Sequence, residues 1–152
     1  MLPPPAIQLL LDEDIQPDGL RVYDQLDPDS AARSVPFGHR LLIFAEDGRG
    51  GRYGLWMRPL HKDLNEAPVV RLRPDGSLEA CALRADLFLE LVAQGLVGAL
   101  GELRSANVDH DSLLEWQETA TMILGRSPRS PEEITQETLE NWPAGLSLQS
   151  EA

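Results

Sequence analysis

The sequence holds a single cysteine, Cys81, among 152 residues. No internal disulfide can form, which fits a reducing compartment. Basic residues are scarce: 13 Lys and Arg face 25 Asp and Glu, for a formal net charge of −12. That balance argues against general nucleic-acid binding, which depends on neutralising phosphates. It also disfavours docking on an anionic membrane surface. Long apolar runs are missing as well. The longest, Leu87 to Leu103, is interrupted by Glu90, Gln94, Gly95, Gly98, Gly101 and Glu102, too polar and too short to span a bilayer. The opening Met1-Leu2-Pro3-Pro4-Pro5 lacks the basic and apolar regions of a secretory signal, so a cytoplasmic protein is expected.

Catalytic and metal-binding signatures are lacking too. His39, His61 and His110 lie in no HExxH or CxxC-type arrangement. Asp109-His110-Asp111 reads as a loop with a helix cap. Asp12, Asp14 and Asp18 lack the downstream Glu and the placed Gly of a calcium loop, and read as solvated acids. Cys81 falls in a strand pattern and reads as a structural thiol rather than a nucleophile. No serine sits in a GxSxG elbow. The expectation is a non-enzyme with no catalytic residue, cofactor or metal.

What is present suits one globular domain: 42% hydrophobic and 25% charged residues. After Pro3-Pro4-Pro5, Ala6 to Leu11 reads as a short helix or strand, and Leu20 to Leu26 alternates as a strand. Leu41 to Ala45 is an apolar run of the kind that forms a strand buried on both faces. Tyr53 to Arg58 alternates, with Tyr53, Leu55 and Met57 on one face and Trp56 and Arg58 on the other. The short link between these strands predicts an antiparallel hairpin. Pro68 to Arg73 and Ser77 to Leu83 read as two more strands joined by the turn Arg73-Pro74-Asp75-Gly76, giving an antiparallel meander. Leu87, Phe88, Leu91 and Val92 recur at helical spacing; this helix ends at Gly95 or runs on through Leu103. Leu113, Trp116, Ala120, Ile123 and Leu124 predict a helix from about Ser112 to Leu124 with Gly125 as its stop. Ser130, Pro131 and Glu133 predict a capped helix reaching about Asn141.

The glycine-rich turn Asp47-Gly48-Arg49-Gly50-Gly51 invites comparison with a phosphate cradle. It joins two strands rather than opening a helix, and Glu46 and Asp47 would repel phosphate, so it reads as hairpin geometry. Tyr53 and Trp56 fall on opposite strand faces. They read first as core residues and second as aromatic anchors for a partner on an open sheet face.

The run Leu42-Ile43-Phe44-Ala45-Glu46-Asp47-Gly48-Arg49-Gly50-Gly51-Arg52-Tyr53-Gly54-Leu55-Trp56, followed by Pro68-Val69-Val70, Asp75-Gly76 and Asp86-Leu87-Phe88-Leu89-Glu90-Leu91, resembles the SUKH superfamily. That is the group of the fungal cell-wall synthesis regulator, which has many bacterial immunity-type members. The resemblance covers residues 41–91, about a third of the chain. Typical members begin with a helix, a Leu-Pro and an aromatic-rich helix ending near Gly-Gly, a pattern absent from Ala6 to Val35. The resemblance implies an α+β domain with a bent antiparallel or mixed sheet of about four to six strands. Helices would pack on one side, and two more would lie at the C-terminal end. The whole chain, 1–152, is read as one such domain: a divergent part over 1–40, a sheet and helix core over 41–103, and helices over 104–146. It implies no catalytic residue and no cofactor. It does imply a protein-binding role, foremost that of an immunity-type protein neutralising a basic toxin domain. Glu46, Asp47, Tyr53 and Trp56 are the candidate partner contacts. A regulatory or scaffold protein of the same fold is the alternative, and a small enzyme or ligand-binding domain a third reading, which predicts a deep pocket with converging polar groups.

Overall fold

A computed structural model describes residues 4–12, 20–27, 39–58, 63–105 and 108–142. Several turn and loop readings lie outside these segments, among them Asp18-Gly19, His61 and the calcium-loop carboxylates Asp14 and Asp18. Helix α1 spans Pro5–Leu11, and strands β1 (Leu20–Asp27), β2 (Arg40–Asp47), β3 (Arg52–Met57), β4 (Val69–Leu72) and β5 (Leu78–Ala82) follow. Helix α2 (Ala85–Val92) leads into a two-stranded ribbon, β6 (Leu96–Val97) and β7 (Arg104–Ser105). Helices α3 (His110–Leu124) and α4 (Pro131–Glu140) complete the order. The five long strands form one sheet in the order β1-β2-β3-β4-β5, each neighbour antiparallel. The expected α+β meander is therefore observed. Its mixed-sheet variant is not, and the β6–β7 ribbon had no sequence signal of its own.

The alternation in β3 decides which residues meet the helices. Tyr53, Leu55 and Met57 face a core built with Ile7 and Leu10 of α1, Leu87, Phe88 and Leu91 of α2, Trp116 and Ala120 of α3 and Ile134 of α4. Phe88 anchors it, with ring centroids 5.5 Å from Phe44 and 6.1 Å from Tyr53. The helices thus cover one face, as expected. A register shift between Ile43 and Ala45 puts both Phe44 and Ala45 into this core, the local signature of a β-bulge.

The opposite face is not open. Leu41, Ile43, Trp56, Val70, Leu72 and Leu78 form a second buried cluster there, with Tyr23 and Trp142 packed against it. Gly54 is required on this face. A Cβ at that position would lie 2.9 Å from the Leu42 carbonyl and against Ile43 and Leu41.

Helix ends follow their sequence signals. Gly95 stops the α2 segment with φ 79°, so the helix does not continue to Leu103. Gly125 caps α3 in the left-handed region at φ 76°. Ser130 and Glu133 form the reciprocal capping box of α4. Helix α3 starts two residues earlier than its apolar stripe suggests, because the Asp109 carboxylate accepts from the Ser112 amide. The Asp109-His110-Asp111 motif is thus a helix start. Thr138 of α4, fully buried, accepts the Leu83 amide at 3.2 Å and ties that helix to the end of β5.

Candidate functional site

The glycine turn after β2 does cradle an anion, and the anion is the chain's own. Asp47 Oδ1 accepts the amides of Arg49 (2.9 Å) and Gly51 (3.0 Å). Its Oδ2 accepts the Tyr53 hydroxyl at 3.0 Å and Arg71 Nε at 2.8 Å. Arg71 Nη1 reaches Glu79 Oε1 at 2.9 Å. A Cβ at Gly51 would sit 2.3 Å from the Arg71 guanidinium, so any other residue there would displace that side chain from Asp47. The side chains of Asp47 and Arg71 are only 8% and 10% exposed, so this is a nearly dry charged network at the rim of the helix-side core. Burial by itself would push the Asp47 carboxyl up. The Arg71 guanidinium, the two turn amides and the Tyr53 hydroxyl outweigh burial and hold it down at about 2. Burial, reinforced by Cys81 and Asp47, pushes the Tyr53 hydroxyl up, so Tyr53 stays protonated and donates a hydrogen bond to the Asp47 carboxylate.

The sign of the pH effect follows. A carboxyl whose folded value is depressed stabilises the fold above its unfolded value and loses that contribution as pH falls toward the folded one. Between about pH 4 and pH 2 the protein is expected to lose roughly 2 kcal/mol from Asp47 alone. Urea unfolding at pH 5 and pH 2.5 should show the loss in the native chain, and Asp47→Asn should flatten that part of the profile.

These positions bear directly on the four candidate contacts. Tyr53 and Trp56 are each 1% exposed, one in each core cluster, and Trp56 Nε1 donates to His39 Nδ1 at 3.0 Å. Their large apolar rings are more favourably placed inside than on an open face, so neither is a surface anchor. Asp47 is consumed by Arg71 and the turn. Glu46 alone of the four is half-exposed, ion-paired with Arg21 at 3.1 Å. Cys81 is fully buried, and burial pushes its thiol up, the opposite of an activated nucleophile.

A second charged centre organises the C-terminal half. Glu90 of α2 is 0% exposed. It accepts Arg126 Nη1 and Nη2 at 2.8 and 2.6 Å, and the Arg129 amide and Nε at 2.9 and 3.3 Å. Arg129 also meets Glu137, which pairs with Arg84. Burial raises the Glu90 carboxyl, and the two guanidiniums and the amide more than reverse it, so the net direction is down. The clasp fixes the α3–α4 loop on the helix layer. Among the described residues no group of three or more His, Cys, Asp and Glu is placed to hold an ion. No described helix is long and apolar enough to cross a membrane.

The same clasp shapes the outer surface. Between His110 and Glu140 the chain has seven carboxylates and two cationic side chains, Arg126 and Arg129, and both cations are turned onto Glu90. On α3, helical spacing places Asp111, Leu114, Glu115, Glu118 and Met122 together, away from the buried Trp116 and Ala120. Leu114 is 45% and Met122 84% exposed. With Gln94, Gln117, Glu118, Thr121, Ser127 and Pro128 they line an open groove of about 580 Å³.

Comparison with known proteins finds no match: no family model, no curated protein and no solved structure resembles the chain closely enough to place it. The site therefore stands on its own geometry. Sequence reading missed Leu114 and Met122 because the apolar stripe of Leu113, Trp116 and Ala120 accounts for the helix without them. An apolar residue at the centre of an otherwise acidic helix face was the signal available.

Proposed function

We propose that this chain is a non-enzymatic protein-binding module of SUKH-like fold, and that it binds a basic protein partner through the outer face of α3. The observation that carries the reading is the pair Leu114 and Met122, exposed at the middle of a helix face whose only ionised groups among the described residues are Asp111, Glu115 and Glu118. Apolar side chains ringed by charge of one sign supply contact area, and the charge speeds encounter with a complementary surface. Methionine suits such a surface because its thioether side chain adapts to its partner. The finer proposal is an immunity-type protein that neutralises a basic toxin domain by occlusion, acting in the cytoplasm. The net charge of −12 and the resemblance over residues 41–91 support it.

The test is affinity capture from native cells, comparing the unaltered chain with the double variant Leu114→Asp, Met122→Asp. Both positions are exposed, so the variant should keep its stability within about 0.5 kcal/mol. Capture of a basic protein should fall at least roughly tenfold, the effect of losing even a modest anchor. Equal capture by both chains would remove the α3 face from consideration. Expressing the captured protein alone separates the two functional readings: toxicity relieved by co-expression supports immunity, and its absence supports a scaffold.

A further inference from the structure

Among the described residues a concentration of arginines runs against the chain's acidic composition. Arg49 from the β2–β3 turn, Arg71 and Arg73 from β4 and the residue after it, and Arg104 from β7 line a single cavity of about 190 Å³ with Pro74, Gly98, Ala99 and Glu102. Four of the chain's 13 basic residues thus converge on one small space. Their charges are not equally spent. Arg71 is held by Asp47 and Glu79, and Arg73 lies 4.0 Å from the second Glu79 oxygen. These four groups cancel. Arg49 and Arg104 make no ion pair among the described residues, although 25 carboxylates are available in the chain. Glu102, the cavity's own acid, pairs with neither.

The cavity is built rather than incidental. Gly50, at φ 83°, brings the β2–β3 turn so close to the β4–β5 turn that a Cβ there would lie 3.1 Å from the Pro74 ring. Gly98, at φ 120°, passes so near the Glu102 carbonyl that a Cβ would meet it at 2.8 Å. Gly50 thus joins the two turns, Gly98 closes the β6–β7 connection that supplies the rest of the lining, and Arg71 stands in the wall with its own geometry fixed by two carboxylates.

We propose that this cavity is a binding site for a small tetrahedral oxyanion, a phosphate or a phosphate group on a small molecule. Guanidinium forks arriving from three segments match an anion whose oxygens point in several directions and whose charge approaches two. A single carboxylate is planar and is satisfied by one fork. The volume is below the roughly 300 Å³ at which drug-sized ligand sites begin, so a bare phosphate or a compact phosphate ester fits and a large cofactor does not. This site is separate from the glycine turn itself, whose amides are already occupied by Asp47. It is also independent of the α3 surface proposed above.

The experiment is calorimetric titration of the full chain with inorganic phosphate, in parallel with acetate and with sodium chloride at matched ionic strength. Glycerol phosphate tests the ester source. Saturable binding of phosphate, absent with acetate and chloride, is expected. Arg49→Gln and Arg104→Gln should each weaken it roughly tenfold, the usual effect of removing one hydrogen bond to a charged group, while Glu102→Gln should tighten it. All three side chains are exposed, so the variants should fold, and a circular dichroism melt checks that they do. Binding to glycerol phosphate but not to free phosphate would assign the site to an ester. Heat that chloride reproduces, or phosphate affinity unchanged in both arginine variants, would overturn the proposal.

Discussion

Asp47→Ala is expected to destabilise the protein by about 3–5 kcal/mol, the cost of breaking a buried ion pair from one side. The Arg71 guanidinium would stay in place at 10% side-chain exposure with only Glu79 beside it. The amides of Arg49 and Gly51 and the Tyr53 hydroxyl would lose their acceptor in the same step. For a domain of this size that corresponds to a fall in Tm of about 6–20 °C. Calorimetric or urea melting measures it. The origin of the loss can be separated from simple side-chain truncation. The double variant Asp47→Ala, Arg71→Met leaves no orphaned cation, so it should recover a large part of the stability. If the double variant falls below the native chain by the full sum of the Asp47→Ala and Arg71→Met losses, the buried-pair account is wrong.

The second large effect is at Glu90. Glu90→Ala should remove about 3 kcal/mol, the lower end of the range for a broken buried pair. Its partners, Arg126 and Arg129, are 40% and 31% exposed and can regain water, which is why the loss falls below that at Asp47. Glu90→Gln keeps the shape and one acceptor but not the charge, and should fall between the native chain and the alanine variant. Because the clasp joins α2 to the loop between α3 and α4, amide exchange in residues 126–130 should accelerate in Glu90→Ala more than exchange in β2 and β3. A uniform change across the chain would show that the clasp is not local.

The sheet and the helices were legible because their signals are short-range. Alternation in Tyr53, Leu55 and Met57, the turn Arg73-Pro74-Asp75-Gly76 and the Ser130-Pro131-Glu133 cap each act within a few residues, and the structure shows each in the expected role. The ion-pair networks were not legible, because their partners are far apart in sequence. Glu90 reads as a mere interruption of an apolar run until Arg126 and Arg129, 36 and 39 residues away, are folded onto it. Arg71 reads as a strand residue until the meander brings it to Asp47, 24 residues earlier.

The same limit governed the site. Tyr53 and Trp56 look like surface anchors only if one sheet face is open. The second face is buried instead, with Tyr23 and Trp142 packed against the cluster of Leu41, Ile43 and Val70, contacts between residues far apart in sequence. Conversely, the acidity of the α3 face is sharpened by what leaves it. Arg126 and Arg129 are the only basic side chains between α3 and α4, and the fold withdraws both.

The chain is proposed to act by presenting the outer face of α3 to a basic protein. Hydrogen–deuterium exchange of the full chain with and without its captured partner tests this most directly. The prediction is protection concentrated in residues 110–128, weakened as salt is raised because the charged part of the contact is screened. Protection confined to the β1–β2 edge around Arg21 and Glu46, with α3 unchanged, would contradict it.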